Sequence, residues 1–124
     1  MSYKIAVATT DGKYIDQHFG SSKEFHIFEV DDNGEYIFVE IRKKSADNEG
    51  ENSHKGNLKA SAEILSDCSK VLVAQIGLGA EQFLKSKGIT AYSVSDRIDN
   101  ALIKLINYDR NQKRRNANRN TSHP

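Results

Sequence analysis

Two hydropathic periods share this chain, and the point where one replaces the other restricts the fold to a few layouts. Up to residue 42 the apolar residues mark short strands. Residues 3–9 form an apolar run closed by Thr10-Asp11-Gly12, a turn signal. Residues 25–30 set Phe25 and Ile27 against His26 and Phe28, and residues 35–42 set Ile37, Val39 and Ile41 against Tyr36, Phe38 and Glu40. Between them lies Asp31-Asp32-Asn33-Gly34, a hairpin signal, because an Asn-Gly pair tolerates positive φ. Three strands joined in this way are expected to be antiparallel neighbours.

Residues 43–56 are polar and lack any apolar period, which predicts a long surface loop. Beyond it the period changes. Leu58, Ala62 and Leu65 fall at helical spacing with Asn57 as the expected N-cap. Residues 70–76 are a continuous apolar run, as in a strand buried on both faces. Ala80, Phe83 and Leu84 mark a short helix that Gly88 should close in a left-handed cap. Residues 89–94 read as a strand, and Asp96 caps a last helix with the stripe Ile98, Ala101, Leu102 and Leu105. The predicted order is βββαβαβα. Alternating units demand right-handed crossovers and parallel pairing. The expected fold is therefore α/β: a mixed five-stranded sheet, its first strand central, with helices on its faces, in the ribonuclease-H-like layout.

At 124 residues the chain is expected to form one domain, placed over residues 1–107. A single cysteine excludes a disulfide scaffold and all-cysteine metal motifs, and fits a reducing interior. No run approaches the roughly 20 apolar residues of a membrane span, and the first residues lack the shape of a signal peptide, so a cytoplasmic protein without membrane contact is expected. The formal charge is +1, but residues 108–124 carry a net +4 and the remainder −3. That basic, Asn-rich end holds few apolar side chains and is expected to be a disordered tail.

Ligands of open α/β sheets bind beyond the carboxyl ends of the parallel strands. Three segments should meet there: Thr9-Thr10-Asp11-Gly12 after the first strand, Gln75-Ile76-Gly77-Leu78-Gly79-Ala80 after the fourth, and Ser95-Asp96 after the fifth. The glycines allow close backbone approach, and the helix start beside them offers free N–H groups to an anion. The same Gly-x-Gly also suits a plain strand-to-helix turn. His18, in His18-Phe19-Gly20, can present a ring nitrogen to a metal or an anion with Phe19 packed beneath it; a surface histidine beside an anchoring phenylalanine reads equally well. His54 in the polar loop is a further candidate ligand. Cys68, a soft donor, sits at a helix C-terminus, where the dipole disfavours thiolate and a buried structural role is the stronger expectation.

Taken together, these segments resemble the nitrogenase iron–molybdenum cofactor biosynthesis family, which includes NifX-type and NafY-type carriers and the C-terminal domain of NifB. The resemblance covers roughly residues 3–106. It rests on the strand entering Thr10-Asp11-Gly12, on His18-Phe19-Gly20, on Asp67-Cys68, and on Ile76-Gly77-Leu78-Gly79-Ala80. It implies a non-catalytic protein that carries an anionic iron–sulfur or iron–molybdenum cluster precursor between donor and acceptor proteins. By position, His18 would contact the cluster. A carrier must also release its cargo, and one or two protein ligands suit that better than a closed four-cysteine site.

Two other functions are expected to be distinguishable from this one. A metal-dependent nuclease of ribonuclease-H type would need clustered carboxylates, for which Asp11 and Asp96 are the candidates. A module that binds nucleic acid or an acidic partner would use the basic end, with binding that falls steeply with salt. Nucleic acid is not the expected partner. The oligomeric state is left open.

Overall fold

The computed structural model describes the backbone of residues 2–44 and 54–121. Eight elements occur in the expected order: β1 (Tyr3–Ala8), β2 (Glu24–Val30), β3 (Tyr36–Lys43), α1 (His54–Ile64), β4 (Lys70–Val73), α2 (Leu78–Ser86), β5 (Thr90–Ser93) and α3 (Ile98–Thr121). The strands form one sheet in the order β3-β2-β1-β4-β5. β2 runs antiparallel to β1 and β3, whereas β4 is parallel to both β1 and β5. β1 is central, and the sheet is mixed.

Alternation along β1 explains how the sheet is covered. Ala6 and Ala8 point into one core with Phe19, Phe25, Ile27, Leu65, Val71, Val73 and Leu84, which α1 and α2 close. Ile5 and Val7 point into the other, with Phe28, Val30, Leu72 and the α3 stripe Ile98, Ala101, Leu102, Leu105 and Ile106. Burying each of the larger side chains contributes about 1.5–3 kcal/mol. The Asp31–Glu35 turn closes on Gly34 at φ 82°, with the Asp31 carboxylate accepting the N–H groups of Asn33 and Glu35. Gly88 at φ 84° ends α2 as expected: its N–H donates to the Lys85 carbonyl and that of Ile89 to the Leu84 carbonyl.

Four boundaries differ from those the sequence predicts. The first helix starts at His54, so Asn57 lies inside it rather than capping it; extending a helix nucleated by Leu58, Ala62 and Leu65 costs far less than starting one. Within the predicted polar loop, residues 45–53 lie outside the described residues. β4 stops at Val73 instead of running to Ile76, because the backbone of Ala74 and Gln75 pairs with Gln17 and Phe19 instead. Asp96 precedes α3 by two residues; its carboxylate accepts the Arg97 N–H at 2.7 Å and meets Lys104 at 3.4 Å.

The fourth difference is the largest. Of residues 108–124, expected as a disordered tail, 108–121 continue α3 as helix to Thr121, and 122–124 lie outside the described residues. The 107/108 boundary falls inside a helix. Asp109 ties the first part of that stretch down, 3.4 Å from Lys70 and 3.7 Å from Lys113, while Lys113 lies over the Tyr3 ring at 5.7 Å. Composition alone could not show these contacts, because they need the sheet in place.

One polar cluster links the edge of the sheet to α1. The Arg42 guanidinium meets both carboxylate oxygens of Asp67 at 2.6 and 2.9 Å, Glu40 at 3.0 Å and the Ile64 carbonyl at 2.8 Å; Lys4 reaches Asp67 at 3.1 Å. The Arg42 hydrogen bonds, with Lys4 in support and against the opposing effect of burial, hold the Asp67 carboxyl well below the usual carboxylate range. We expect Arg42→Ala to lower unfolding free energy by about 1–3 kcal/mol in urea melts, since it strips a charge-assisted carbonyl bond as well as the ion pair. A carboxyl depressed in the folded state stabilises above its unfolded pKa and loses that contribution as pH falls. Wild-type stability should therefore decline below about pH 4, and the Arg42→Ala variant should lose less over the same interval.

Candidate functional site

The segment between β1 and β2 is stitched across the carboxyl ends of the parallel strands. Asp11 shapes its start: its carboxylate accepts the N–H groups of Lys13 at 2.8 Å and Tyr14 at 3.1 Å, and those bonds hold its pKa below the usual value. Thr10 is tied to Asp16 through its backbone N–H at 3.0 Å and its hydroxyl at 2.5 Å. The segment then pairs with the stretch between β5 and α3: the Ile15 N–H donates to the Asp96 carbonyl and the Ile98 N–H to the Lys13 carbonyl. Further on it pairs with the stretch between β4 and α2. The Ala74 N–H donates to the Gln17 carbonyl and the Phe19 N–H to the Gln75 carbonyl, both at 2.9 Å, and His18 forms a parallel bridge with Gln75.

This pairing places His18 opposite Gln75, two residues along the chain from Gly77. Phe19 is 2% exposed, in the core beneath, with its ring 6.0 Å from that of Phe25. Adjacent side chains in extended backbone point to opposite sides. With Phe19 turned inward, His18 is exposed on the rim. Its carbonyl accepts the Ser21 N–H and hydroxyl, fixing the turn through Gly20.

Across from it, Gly77 is the N-cap of α2 and supplies no side-chain bond to the helix start. The first N–H groups of a helix have no partner within it, and they carry partial positive charge. Leu78, the first residue of α2, is 69% exposed. Gly77 has ordinary extended angles, φ −73° and ψ 154°, and a Cβ added at Gly20, Gly77 or Gly79 would meet nothing within 4 Å. Neither backbone conformation nor packing among the described residues demands glycine at these positions. Their small size leaves the backbone open to something approaching from outside.

Of the remaining candidates, Cys68 is set apart from this opening. Asp11 and Asp96, the carboxylates the nuclease alternative would use, each accept N–H groups of the turns they cap. Cys68 lies before β4, at the opposite ends of the parallel strands, beside the Ser69 N–H bond to the Lys4 carbonyl. It is buried, and burial together with the Asp67 charge pushes its thiol up to about 12. The structure thus separates Cys68 from His18, and a thiol so disposed stays protonated at neutral pH. The His54 side chain lies outside the described residues. Among the described residues no group of three or more His, Cys, Asp or Glu side chains could hold a metal ion.

The sequence places Gln17 and Gln75 in segments expected near the rim but does not reveal their main-chain pairing, with Ala74, that brings its two halves together. The sole signal for that pairing is the apolar run that continues past Val73, and periodicity assigns it to the strand.

Known proteins share this architecture. The family model described as dinitrogenase iron-molybdenum cofactor matches residues 1–108. The chain is 34% identical over 104 residues to the FeMo cofactor biosynthesis protein NifB of Frankia alni, covering 82% of this chain and 20% of that protein. It is 27% identical over 93 residues to Protein NifX of Azotobacter vinelandii, covering 75% of this chain and 57% of that one. It thus spans about a fifth of that NifB and little over half of that NifX. Among solved structures, PH0822 superposes with TM-score 0.65 at 21% identity over 84% of this chain and 90% of that chain. MJ0327 of Methanocaldococcus jannaschii superposes with TM-score 0.53 at 18% identity over 86% and 90%. Both support the fold alone. With the family model spanning the whole described sheet and the starts of all three helices, the chain belongs to the dinitrogenase iron-molybdenum cofactor family.

Proposed function

We propose that this protein takes part in iron–molybdenum cofactor biosynthesis as a non-catalytic carrier. It holds an anionic iron–sulfur or iron–molybdenum cluster precursor at the rim and passes it between donor and acceptor proteins of the assembly route. One observation carries the proposal: the parallel bridge between His18 and Gln75, which sets an exposed imidazole beside the amide-rich start of α2. Imidazole ligates iron, and unpaired N–H groups stabilise the cluster's negative charge. With a single imidazole donor among the described residues of the rim, the cargo remains labile, as transfer requires.

Thr10, Asp11 and Phe19 act in this scheme by shaping and anchoring the segment, while His18, Gly20, Gly77, Leu78, Gly79 and Ala80 face the cargo. The strand order with β2 alone reversed supports the ribonuclease-H-like assignment, on which the rim is an ordinary place for a ligand. A single domain working in the cytoplasm fits a cargo that must be kept reduced. No helix among the described residues is long and apolar enough to cross a membrane.

Anaerobic reconstitution of the purified chain with iron and sulfide, with iron analysis and visible absorption as readouts, tests the proposal. Wild-type protein should retain iron and show a charge-transfer band. His18→Ala should weaken retention at least about tenfold, since even groups that only support a metal ligand have effects of that size. Full retention by the variant would remove His18 from the site.

A further inference from the structure

β3 is the longest strand, it lies at the edge of the sheet, and its apolar side chains stand largely in the open. Ile37, Phe38, Val39 and Ile41 are exposed at 64%, 52%, 39% and 45%. Single exposed apolar residues are ordinary, but four in five consecutive positions make a contiguous patch. An edge strand also presents a row of N–H and C=O groups with no partner strand. Such an edge is a template for pairing unless charge, proline or a covering element blocks it. The opposite edge, β5, is short at four residues.

The pattern of faces along β3 specifies what can pair with it. Side chains at paired positions share a face. Tyr36, Phe38, Ile41 and Lys43 stand opposite Val30, Phe28, His26 and Glu24, on the side of the sheet that faces α3. Ile37, Glu40 and Arg42 stand opposite Glu29, Ile27 and Phe25, on the side of α1 and α2. The register slips between Ile27 and Phe28, leaving Val39 as the extra residue of a bulge. The positions facing α3 therefore read 36, 38, 41, 43, and they read with the same spacing from either end. A regular strand laid alongside would match faces on one side of the bulge and mismatch them on the other. An antiparallel strand carrying its own bulge at the same level matches throughout.

We propose that this strand is β3 of a second copy of the chain, so that two sheets join antiparallel across a two-fold axis into one of ten strands. Face matching fixes the register. Phe38 lies opposite Ile41 of the second copy, Tyr36 opposite Lys43, Ile37 opposite Arg42 and Glu35 opposite Lys44. Charge favours the same arrangement. Asp31, Asp32 and Glu35 gather at the start of the strand, and Arg42, Lys43 and Lys44 at its end. Antiparallel pairing sets the acidic end of each copy beside the basic end of the other, whereas parallel pairing would set like against like. Arg42 keeps its Asp67 and Glu40 partners, so Lys43 and Lys44 supply the complement. The contact is isologous and closes on itself. It also leaves both His18 rims open, at opposite ends of the joined sheet.

Sedimentation velocity over a concentration series reaching about 1 mM, the weak end of specific association, tests this. The wild-type chain should pass from one to two times its 13.9 kDa mass. Ile41→Lys and Phe38→Lys should remain monomeric at every concentration, with circular dichroism unchanged because both side chains are already half exposed. Glu35→Lys or Lys44→Glu alone should weaken association by roughly threefold to tenfold, and combining them should restore it, since the pair re-forms between copies. A monomer throughout, dimers undiminished by both lysine substitutions at positions 38 and 41, or growth beyond two chains would each overturn the proposal.

Discussion

Replacing Phe19 by alanine should be the most damaging single change in this protein, lowering unfolding free energy by about 3–5 kcal/mol in urea melts. The ring is 2% exposed and packs in the core beside the Phe25 ring, so its removal loses transfer energy and leaves a void. The consequence reaches beyond stability. Phe19 anchors the stitched segment on which His18 stands, and its N–H bond to Gln75 is one of the links that hold the two halves of the rim together. Iron retention should therefore fall as well, even at temperatures where the variant stays folded. Phe19→Leu separates the two effects. It keeps an apolar anchor, should cost less than half as much stability, and should retain most of the iron. If Phe19→Ala lost its stability but held iron at wild-type strength, His18 would not depend on the stitched segment for its position.

What the sequence disclosed, and what it hid, divides by how local the cause is. The hairpin turn at Gly34, the cap at Gly88 and the stripe from Ile98 to Leu105 are set by residues within a few positions of one another, and each is where the pattern puts it. So is the order of the eight elements. The mixed sheet follows from that order by the rules of connection. The places where expectation failed depend on distant partners. Nothing near Gln75 says that its carbonyl will accept a hydrogen bond from Phe19, and without that bond the apolar run after Val73 reads as more strand. Nothing near Asp109 says that Lys70 will stand beside it, so a polar stretch reads as a tail. Asp67 and Cys68 show the opposite case, where a local signal sufficed: a cysteine at a helix C-terminus is expected to be buried and structural, and it is buried. Adjacent in the chain, they share an electrostatic environment in which the Arg42 cation favours the carboxylate, while burial and that carboxylate disfavour the thiolate. Spacing could nominate Cys68 as a ligand. The fold turns it away from the rim.

The glycines of the rim offer the sharpest separation of function from folding. Gly79 lies within α2, where glycine costs roughly 0.5–1 kcal/mol relative to alanine. Gly77 is an N-cap that forgoes a side-chain bond to the helix start. Both positions accept a Cβ without touching anything within 4 Å. On stability alone, Gly79→Ala should be favourable by about 0.5–1 kcal/mol, and Gly77→Ser should supply the side-chain cap that glycine lacks at the same φ. Thermal melts of the double variant should accordingly show a Tm equal to or above that of the wild type. Iron retention should move the other way, falling several-fold, because the added carbon atoms stand where the cargo must approach the amides. Opposite signs for the two measurements would mark these positions as shaped by what binds them. Unchanged retention in a chain carrying both substitutions would mean that the cargo does not rest on the start of α2, and His18 would then need a different neighbour to complete the site.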